Sequence, residues 1–281
     1  MRFSKYQGVG NDFVMLADPE DDLVLSADAV RRLCDRRFGI GADGVIRVAP
    51  GPDGADLFMD YVNSDGSIGE MCGNGIRCLA VFAREEGMTE LDELDVATRA
   101  GLKHVVVRPD RTVRVDMGAP VFRPADVPVT WDGDEALHAK IELPEGVLEA
   151  ACLSMGNPHA VLFVDDPANA PVTTLGPVIE RHEMFPHGAN VEFARIDGPT
   201  RVTMRVWERG SGETMACGTG ACAVAVAARL LHGGAEHQTI VLPGGELEVE
   251  WNGTLDVESP VFMTGPAVKS FEGDVSLDDL D

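Results

Sequence analysis

The segment Cys72-Gly73-Asn74-Gly75-Ile76-Arg77-Cys78-Leu79 decides the fold, because it recurs 145 residues later as Cys217-Gly218-Thr219-Gly220-Ala221-Cys222-Ala223-Val224. In each copy a glycine-rich turn leads into a run of good helix formers, which predicts helices over Gly75–Glu86 and Gly220–His232. Glycines let the backbone turn tightly, and the N–H groups of the first helical turn then point outward. The sequence therefore predicts two equivalent helices, each headed by a cysteine.

Three more pairs of segments match in the same order, with offsets of 145 to 147 residues. They are Gly10-Asn11 with Gly156-Asn157, Gly41-Ala42-Asp43 with Gly188-Ala189-Asn190, and Met59-x-Tyr61-x-Asn63 with Met204-x-Val206-x-Glu208. A period of this length indicates that the chain consists of two homologous halves, as from a duplicated gene.

The remaining pattern is rich in strands. Short β-branched runs bounded by Gly, Pro, Asp or Asn predict strands at Val105–Val107, Val113–Met117, Val202–Trp207, Ile240–Leu242 and Leu247–Trp251. Helices predicted over Ala27–Arg37 and Thr174–Met184 bring the count to about two per half. We therefore expect an α+β protein of two homologous strand-rich halves, related by pseudo-twofold symmetry around a central cleft.

The expected boundaries follow from the repeat. Residues 1–118 form the N-terminal half and residues 119–263 the C-terminal half, and the segment from about 264 to 281 returns to the first half. The proline-bounded stretch 120–128 is interpreted as the crossover between them. The acidic residues 271–281 are expected to fray.

The charge balance excludes several classes of function. The 281 residues contain 47 acidic and 23 basic side chains, a net charge of −24, so nucleic acids and anionic membranes would repel the protein. A long uncharged apolar run and an N-terminal apolar segment are both lacking in the sequence, which favours a cytoplasmic protein.

Only four of the basic residues are Lys. We interpret the acidity as adaptation to a salty cytoplasm; the alternative is a merely acidic surface with an acidic tail.

Six cysteines raise the question of a metal site. The chain has no CxxC pair, and the spacings between Cys72 and Cys78 and between Cys217 and Cys222 do not suit a zinc ribbon, so we expect no metal. The four cysteines outside the Gly-flanked context are interpreted as small core residues: Cys34, Cys78, Cys152 and Cys222.

Cys72 and Cys217 are different because each heads a helix. The helix dipole favours anions there and can lower a thiol pKa to roughly 3.5–7.5. If the halves face each other, the amides could hold a substrate carboxylate with one thiol on each side of its α-carbon. One group would remove a proton and the other would deliver one to the opposite face, as a two-base racemase or epimerase requires.

These residues resemble the diaminopimelate epimerase family over about residues 3–266. The resemblance rests on Gly10-Asn11-Asp12-Phe13, Asn63-Ser64-Asp65-Gly66, Glu70-Met71-Cys72-Gly73-Asn74-Gly75, Gly156-Asn157-Pro158-His159, Gly188-Ala189-Asn190-Val191 and Trp207-Glu208-Arg209-Gly210 with Ala216-Cys217-Gly218-Thr219-Gly220. It implies interconversion of LL- and meso-2,6-diaminopimelate without PLP or metal, on the way to lysine and peptidoglycan precursors. It also implies that the protein is a homodimer and that its substrate is a small molecule, a diamino dicarboxylic acid.

The resemblance also implies roles for individual residues. Cys72 and Cys217 would be the base and acid, with His159 and Glu208 tuning the thiol pKa values. The substrate-binding residues would be Asn11, Asn63, Gly73, Asn74, Asn157, Asn190, Glu208, Arg209, Gly218 and Thr219. Some relatives carry Gln where this chain has Gly44, which has no side chain to offer, so Gly44 is only a weak site candidate.

Three further functions remain compatible with these residues. One is a racemase or isomerase for another amino acid on the same fold, although Asn74 and the Glu208-Arg209 pair argue against proline. A second is a thiol redox protein that uses Cys72 and Cys217. A third is a binding protein that holds a diamino acid without chemistry.

Overall fold

The computed structural model describes residues 1–144 and 146–276. It divides the chain into two compact units, residues 116–263 and the remainder on either side of them. The described residues form 17 strands, four α-helices and one 3-10 turn at Pro167–Asn169. The predicted α+β class with two helices in each half is confirmed. The acidic residues 271–281 were expected to fray, which is wrong for residues 271–274, because they lie in the last strand and pair with the first one. Residues 277–281 lie outside the described residues.

The first unit is built on a mixed sheet. Its elements are β1 (Arg2–Gly8), β2 (Asn11–Ala17), α1 (Ala27–Cys34), β3 (Gly44–Pro50), β4 (Leu57–Asn63), α2 (Gly73–Glu85), β5 (Glu93–Thr98), β6 (Gly101–Val107) and β7 (Thr112–Gly118). The C-terminal strands β16 (Val261–Pro266) and β17 (Val268–Asp274) follow the second unit, and β17 pairs antiparallel with β1. The chain passes between the units within β7 and β16.

The second unit repeats this plan. Its elements are β8 (Ala136–Leu143), β9 (Gly146–Ser154), β10 (Pro158–Phe163), α3 (Val172–Glu180), β11 (Asn190–Gly198), β12 (Arg201–Glu208), β13 (Gly212–Thr214), α4 (Gly218–His232), β14 (His237–Leu242) and β15 (Gly245–Glu250). Strand pairing is the same in both units. Antiparallel, parallel, antiparallel, parallel and antiparallel pairs follow one another from β1 to β6 and from β9 to β15, with β13 outside this series.

The helices α2 and α4 form the interior of their units. Residues Gly73–Ala83 of α2 are all buried, and so are Gly220–Ala228 of α4. A helix that is buried on all sides belongs to the core of its unit. Helix α2 packs on β1 and β2, and α4 packs on β11 and β12. Both helices begin two residues before the predicted starts, because Cys72 and Cys217 are themselves the N-caps.

The other two helices differ more from prediction. Helix α1 ends at Cys34 instead of Arg37, because the Asp35 carboxylate accepts hydrogen bonds from the N–H groups of Arg37 and Phe38 and turns the chain. Helix α3 begins two residues earlier than predicted and ends at Glu180, after which the backbone continues in turns.

The predicted crossover segment 120–128 packs within the second unit. Val121 forms a β-bridge with Ser154, and Val127 is fully buried with Val129 in the core of that unit. Among the described residues, helices long and apolar enough to cross a bilayer are lacking.

Candidate active site

In the first unit, Cys72 lies at the head of α2 with two predicted partners. Its half-buried sulfur accepts a hydrogen bond from Gly75 N at 3.4 Å. The thiol faces Asn11 Oδ1 at 3.6 Å, and the Asn74 side-chain amide donates to that same oxygen at 3.2 Å. The structure therefore brings Asn11, Cys72 and Asn74 together at one helix terminus.

A chain of charged groups fixes the orientation of Asn11. Its amide nitrogen donates to Asp43 Oδ2 at 2.6 Å, and Arg36 donates to the other oxygen of Asp43 at 2.7 Å. Arg36 also pairs with Asp12, which Lys5 contacts at 2.7 Å. Since Asp43 accepts from the amide nitrogen, the Asn11 oxygen is directed at Cys72.

Arg77 is a site residue that sequence reasoning missed. It is fully buried in α2, and it donates to Gly73 O at 3.1 Å and to Asn74 Oδ1 at 3.0 Å. A third bond to Pro266 O at 3.3 Å ties the helix to the end of β16. The signal was an arginine inside an otherwise apolar helical run, since a buried guanidinium needs several acceptors.

Asn63 and Gly44 lie in β4 and β3 with structural contacts of their own. The Asn63 amide donates to Ser67 Oγ at 3.0 Å, within the turn that follows β4. A Cβ on Gly44 would lie 2.6 Å from Tyr61 Cε2 and 2.7 Å from Val62 O. The Tyr61 ring therefore occupies the space that a side chain at position 44 would need.

In the second unit, Cys217 heads α4 in the same way. Its buried sulfur accepts from Gly220 N at 3.4 Å and lies 3.5 Å from Thr219 Oγ1. The thiol also hydrogen-bonds to Glu208, whose carboxylate accepts from the Thr214 hydroxyl. Burial, opposed by these bonds, raises the pKa of Glu208.

The protonation of Cys217 differs from the prediction. Burial is the largest effect and raises the thiol pKa well above its ordinary value, and the charges of Glu208 and Glu192 raise it further. The hydrogen bonds with Thr219 and Gly220 lower the pKa, but they do not offset burial. The lowered thiol pKa expected from the helix dipole is therefore wrong for Cys217.

Behind Cys217, His159 and Glu192 form a buried pair. His159 Nδ1 is 2.6 Å from Glu192 Oε1, and both side chains are inaccessible to solvent. His159 Nε2 faces Asn157 Oδ1 at 3.0 Å. Glu192 was missed by sequence reasoning, although a glutamate within the apolar run from Val191 to Ala194 is unusual in a buried strand.

Asn190 links the starts of β10 and β11 to the turn that follows β12. The buried Asn190 donates to Pro158 O at 3.1 Å and accepts from Arg209 N at 2.9 Å. The Arg209 side chain is exposed and donates to His187 O at 3.2 Å. Glu180 accepts from Gly210 N at 2.9 Å and so secures the same turn.

Solved structures of other proteins have the same fold as this chain. A probable proline racemase from Agrobacterium radiobacter aligns with a TM-score of 0.71 at 18% identity, covering 100% of this chain and 94% of that one. A Bacillus anthracis phenazine biosynthesis protein of the PhzF family aligns with a TM-score of 0.69 at 18% identity, covering 98% and 99%. The chain therefore has the two-part α+β fold of the racemase and PhzF structures.

The sequence comparisons narrow this class to one family. The family model for diaminopimelate epimerase matches residues 3–123 and 151–270. Diaminopimelate epimerases from Moorella thermoacetica and Synechococcus elongatus are 47% and 43% identical, each covering 99% of this chain and 100% and 99% of the relative. The chain belongs to the diaminopimelate epimerase family, a family of isomerases, as the sequence motifs predicted.

Proposed function

We propose that this protein interconverts LL- and meso-2,6-diaminopimelate with Cys72 and Cys217 as its two acid–base groups. One observation carries the proposal: in a member of this family, each half places a cysteine as the N-cap of its buried core helix. We further propose that both thiols act on the same α-carbon of the substrate, each from a different face of that carbon.

The helix heads can hold the carboxylate at the reacting carbon. The N–H of Gly75 is directed at Cys72 Sγ, and the N–H of Ile76 donates to Cys72 O. The amides of Gly73 and Asn74 precede these in the first turn, where helix N–H groups and the dipole attract anions. The amides of Gly218 and Thr219 occupy the same positions in α4.

The proton inventory balances over one turnover. A thiolate at Cys72 takes the α-proton, and the Cys217 thiol delivers its proton to the opposite face of the same carbon. The configuration is inverted, and the protein ends with a thiol at Cys72 and a thiolate at Cys217. In the reverse direction the roles exchange. The raised pKa of Cys217 suits the proton donor of the first direction.

The remaining residues implied by the family resemblance would bind the substrate or adjust the pKa values of the two thiols. Glu208 receives a hydrogen bond from the Cys217 thiol, so it is placed to influence that proton. Asn11 and Asn74 lie next to Cys72, where their amides can bind the polar groups of an amino acid. Arg209 has an exposed guanidinium suited to the distal carboxylate, and Asn63, Asn157, His159 and Asn190 complete the proposed set.

Deuterium exchange tests the proposal. LL-diaminopimelate incubated in D₂O with reduced protein should yield the meso isomer with deuterium at one α-carbon, measured by NMR and mass spectrometry. Cys72→Ala and Cys217→Ala should each abolish isomerisation, because each removes one proton carrier, while substrate binding largely survives. A reduced protein that binds the substrate without exchange would be a binding protein, and the enzyme proposal would be wrong.

The same experiment distinguishes this epimerase from a racemase of another amino acid and from a redox protein. Exchange on a different amino acid, with none on diaminopimelate, would indicate a racemase of other specificity. A redox protein would lose thiols to oxidant without exchanging α-protons. We also propose that the protein is a cytoplasmic homodimer that serves lysine synthesis. Analytical ultracentrifugation would measure the oligomeric state.

A further inference from the structure

Glu192 is buried in a way that fold stability does not explain. The side chain has no solvent exposure. Its Oε1 bonds to His159, whereas Oε2 has no hydrogen-bond partner among the described residues. An unmet buried carboxylate oxygen costs free energy, and such groups call for a functional explanation.

The position of Glu192 directs its charge at the head of α4. A Cβ added to Gly220, in the first turn of that helix, would lie 2.8 Å from Glu192 Oε1 and 3.3 Å from Cys217 Sγ. The carboxylate and the sulfur therefore both lie close to the same glycine. Both Glu192 and Cys217 are buried, and Coulomb interactions between buried groups are stronger than in water, so the charge of Glu192 acts on Cys217.

Among the described residues, the nearest contacts at the equivalent glycine of the first unit come from apolar side chains. Beneath Gly75, the counterpart of Gly220, a Cβ would meet Ile46 Cδ1 at 2.7 Å and Met59 Cε at 3.0 Å. Ile46 lies on β3, which has the same place in its sheet as β11, the strand of Glu192. The two helix heads thus differ beneath their glycines: apolar side chains lie next to Gly75 and a carboxylate lies next to Gly220.

We propose that Glu192 is a positioning residue that distinguishes the two cysteines: it anchors His159 and keeps Cys217 as the thiol, so that Cys217 is the proton donor of the resting enzyme. The inference rests on the proposed function in assigning a donor, but the protonation of Cys217 exists without turnover. Glu192 acts through Cys217 and His159 and need not touch the substrate.

Several ionisable groups besides Glu192 act on Cys217 or share its surroundings. Glu208, on β12, adds a second negative charge next to Cys217, and His159, on β10, is the one cation candidate among the described contacts of Glu192. Cys152, on β9, has its pKa raised to about 12 by burial and by Glu192. Two carboxylates against one histidine leave an excess of negative charge, which favours the neutral thiol.

Glu192→Gln tests the proposal because it keeps the shape and removes the charge. Thiolate ultraviolet absorbance is followed against pH, and the same titration of a variant that also carries Cys217→Ser is subtracted, so that Cys152 and the other thiols cancel. In the wild-type protein Cys217 should stay a thiol beyond its ordinary value of 9.0. Glu192→Gln should lower the midpoint by about one pH unit or more.

The matched control is Glu149→Gln. Glu149 also pairs with a histidine in the second unit, His138 at 2.9 Å, but both side chains are 61% exposed. This variant should leave the Cys217 midpoint unchanged. A folded Glu192→Gln variant with an unmoved midpoint would overturn the proposal, whatever its activity, because a merely structural role alters stability and not the thiol titration.

The wild-type protein provides a second measurement should Glu192→Gln not fold. A wild-type Cys217 that is already a thiolate at neutral pH would overturn the proposal by itself. Failure of the proposed function would be seen separately, as absence of deuterium exchange in a protein whose Cys217 titrates as described.

Discussion

At the scale of single residues, Asp12 shows how burial and pairing compete. Burial raises its pKa, but hydrogen bonds from Arg36 and Lys5 outweigh burial and lower the pKa to about 2. Lys5 is itself buried and also donates to Gly41 O. Asp12 and Lys5 together therefore hold the loop that carries Asp43, the residue that orients Asn11.

Asp12→Asn should lower the free energy of unfolding at neutral pH by on the order of 2 kcal/mol, the equivalent of a pKa that falls from 3.8 to about 2. Because the folded-state pKa lies below the ordinary value, this stability is fully present above about pH 4 and is lost as the pH falls toward 2. Urea unfolding at several pH values measures it. A variant whose stability falls over that acid range as steeply as that of the wild type would contradict the assignment.

At the scale of elements, the glycines of the two helix heads are not equivalent. A Cβ on Gly75 meets the ends of Ile46 and Met59, which are flexible apolar side chains that can move. A Cβ on Gly220 meets Glu192, and moving that carboxylate disturbs its 2.6 Å bond to His159. Equivalent positions in the repeat therefore carry different constraints.

Gly75→Ala should be nearly neutral for stability, since the gain of about 1 kcal/mol in helix propensity offsets a modest clash. Gly220→Ala should cost about 1–3 kcal/mol, the usual range for overpacking. Chemical denaturation of the two variants, followed by circular dichroism, compares them directly. Equal losses would show that Glu192 yields as easily as Ile46, contrary to the tight placement described for it.

The elements themselves were predictable because their signals are local. The Cys-Gly-x-Gly pattern located α2 and α4 to within two residues, and the repeat identified the halves. The ends of α1 and α3 were not predictable, because the bonds of Asp35 and the turns after Glu180 override helix-forming sequence. Asn190 matched the repeat, but its bonds to Pro158 and Arg209 depend on segments that only the folded chain brings together.

The electrostatics of the site were less predictable, and the reason is distance along the chain. The prediction for the thiols used the helix dipole, which is a local property. For Cys217 the larger effects on the thiol pKa are burial and the charges of Glu208 and Glu192. These two residues lie on β12 and β11 and not on the helix that Cys217 caps. Only part of the environment of Arg77 is similarly distant, since Gly73 and Asn74 lie in its own helix and Pro266 lies 189 residues further along the chain.

At the scale of the whole molecule, the net charge of −24 is the dominant feature. Arg47 and Arg36 already form several ion pairs each: Arg47 pairs with Asp18, Asp21 and Asp60, and Arg36 with Asp12 and Asp43. The 47 acidic side chains outnumber the 23 basic ones about two to one, so pairing with basic side chains cannot neutralise the protein. Self-repulsion of this kind destabilises a compact state.

Added KCl should therefore stabilise the protein, as expected from the composition. Screening shortens the Debye length from about 10 Å at 0.1 M to about 3 Å at 1 M, which weakens repulsion across the surface more than it weakens close pairs such as that of Arg47. We expect the free energy of unfolding to rise by about 2 kcal/mol, or Tm by about 4–8 °C. Thermal unfolding across a KCl series measures the change, with sucrose at equal osmolality as the uncharged control. Full stability at low salt, or an equal gain in sucrose, would leave the acidic composition without a role in salt adaptation.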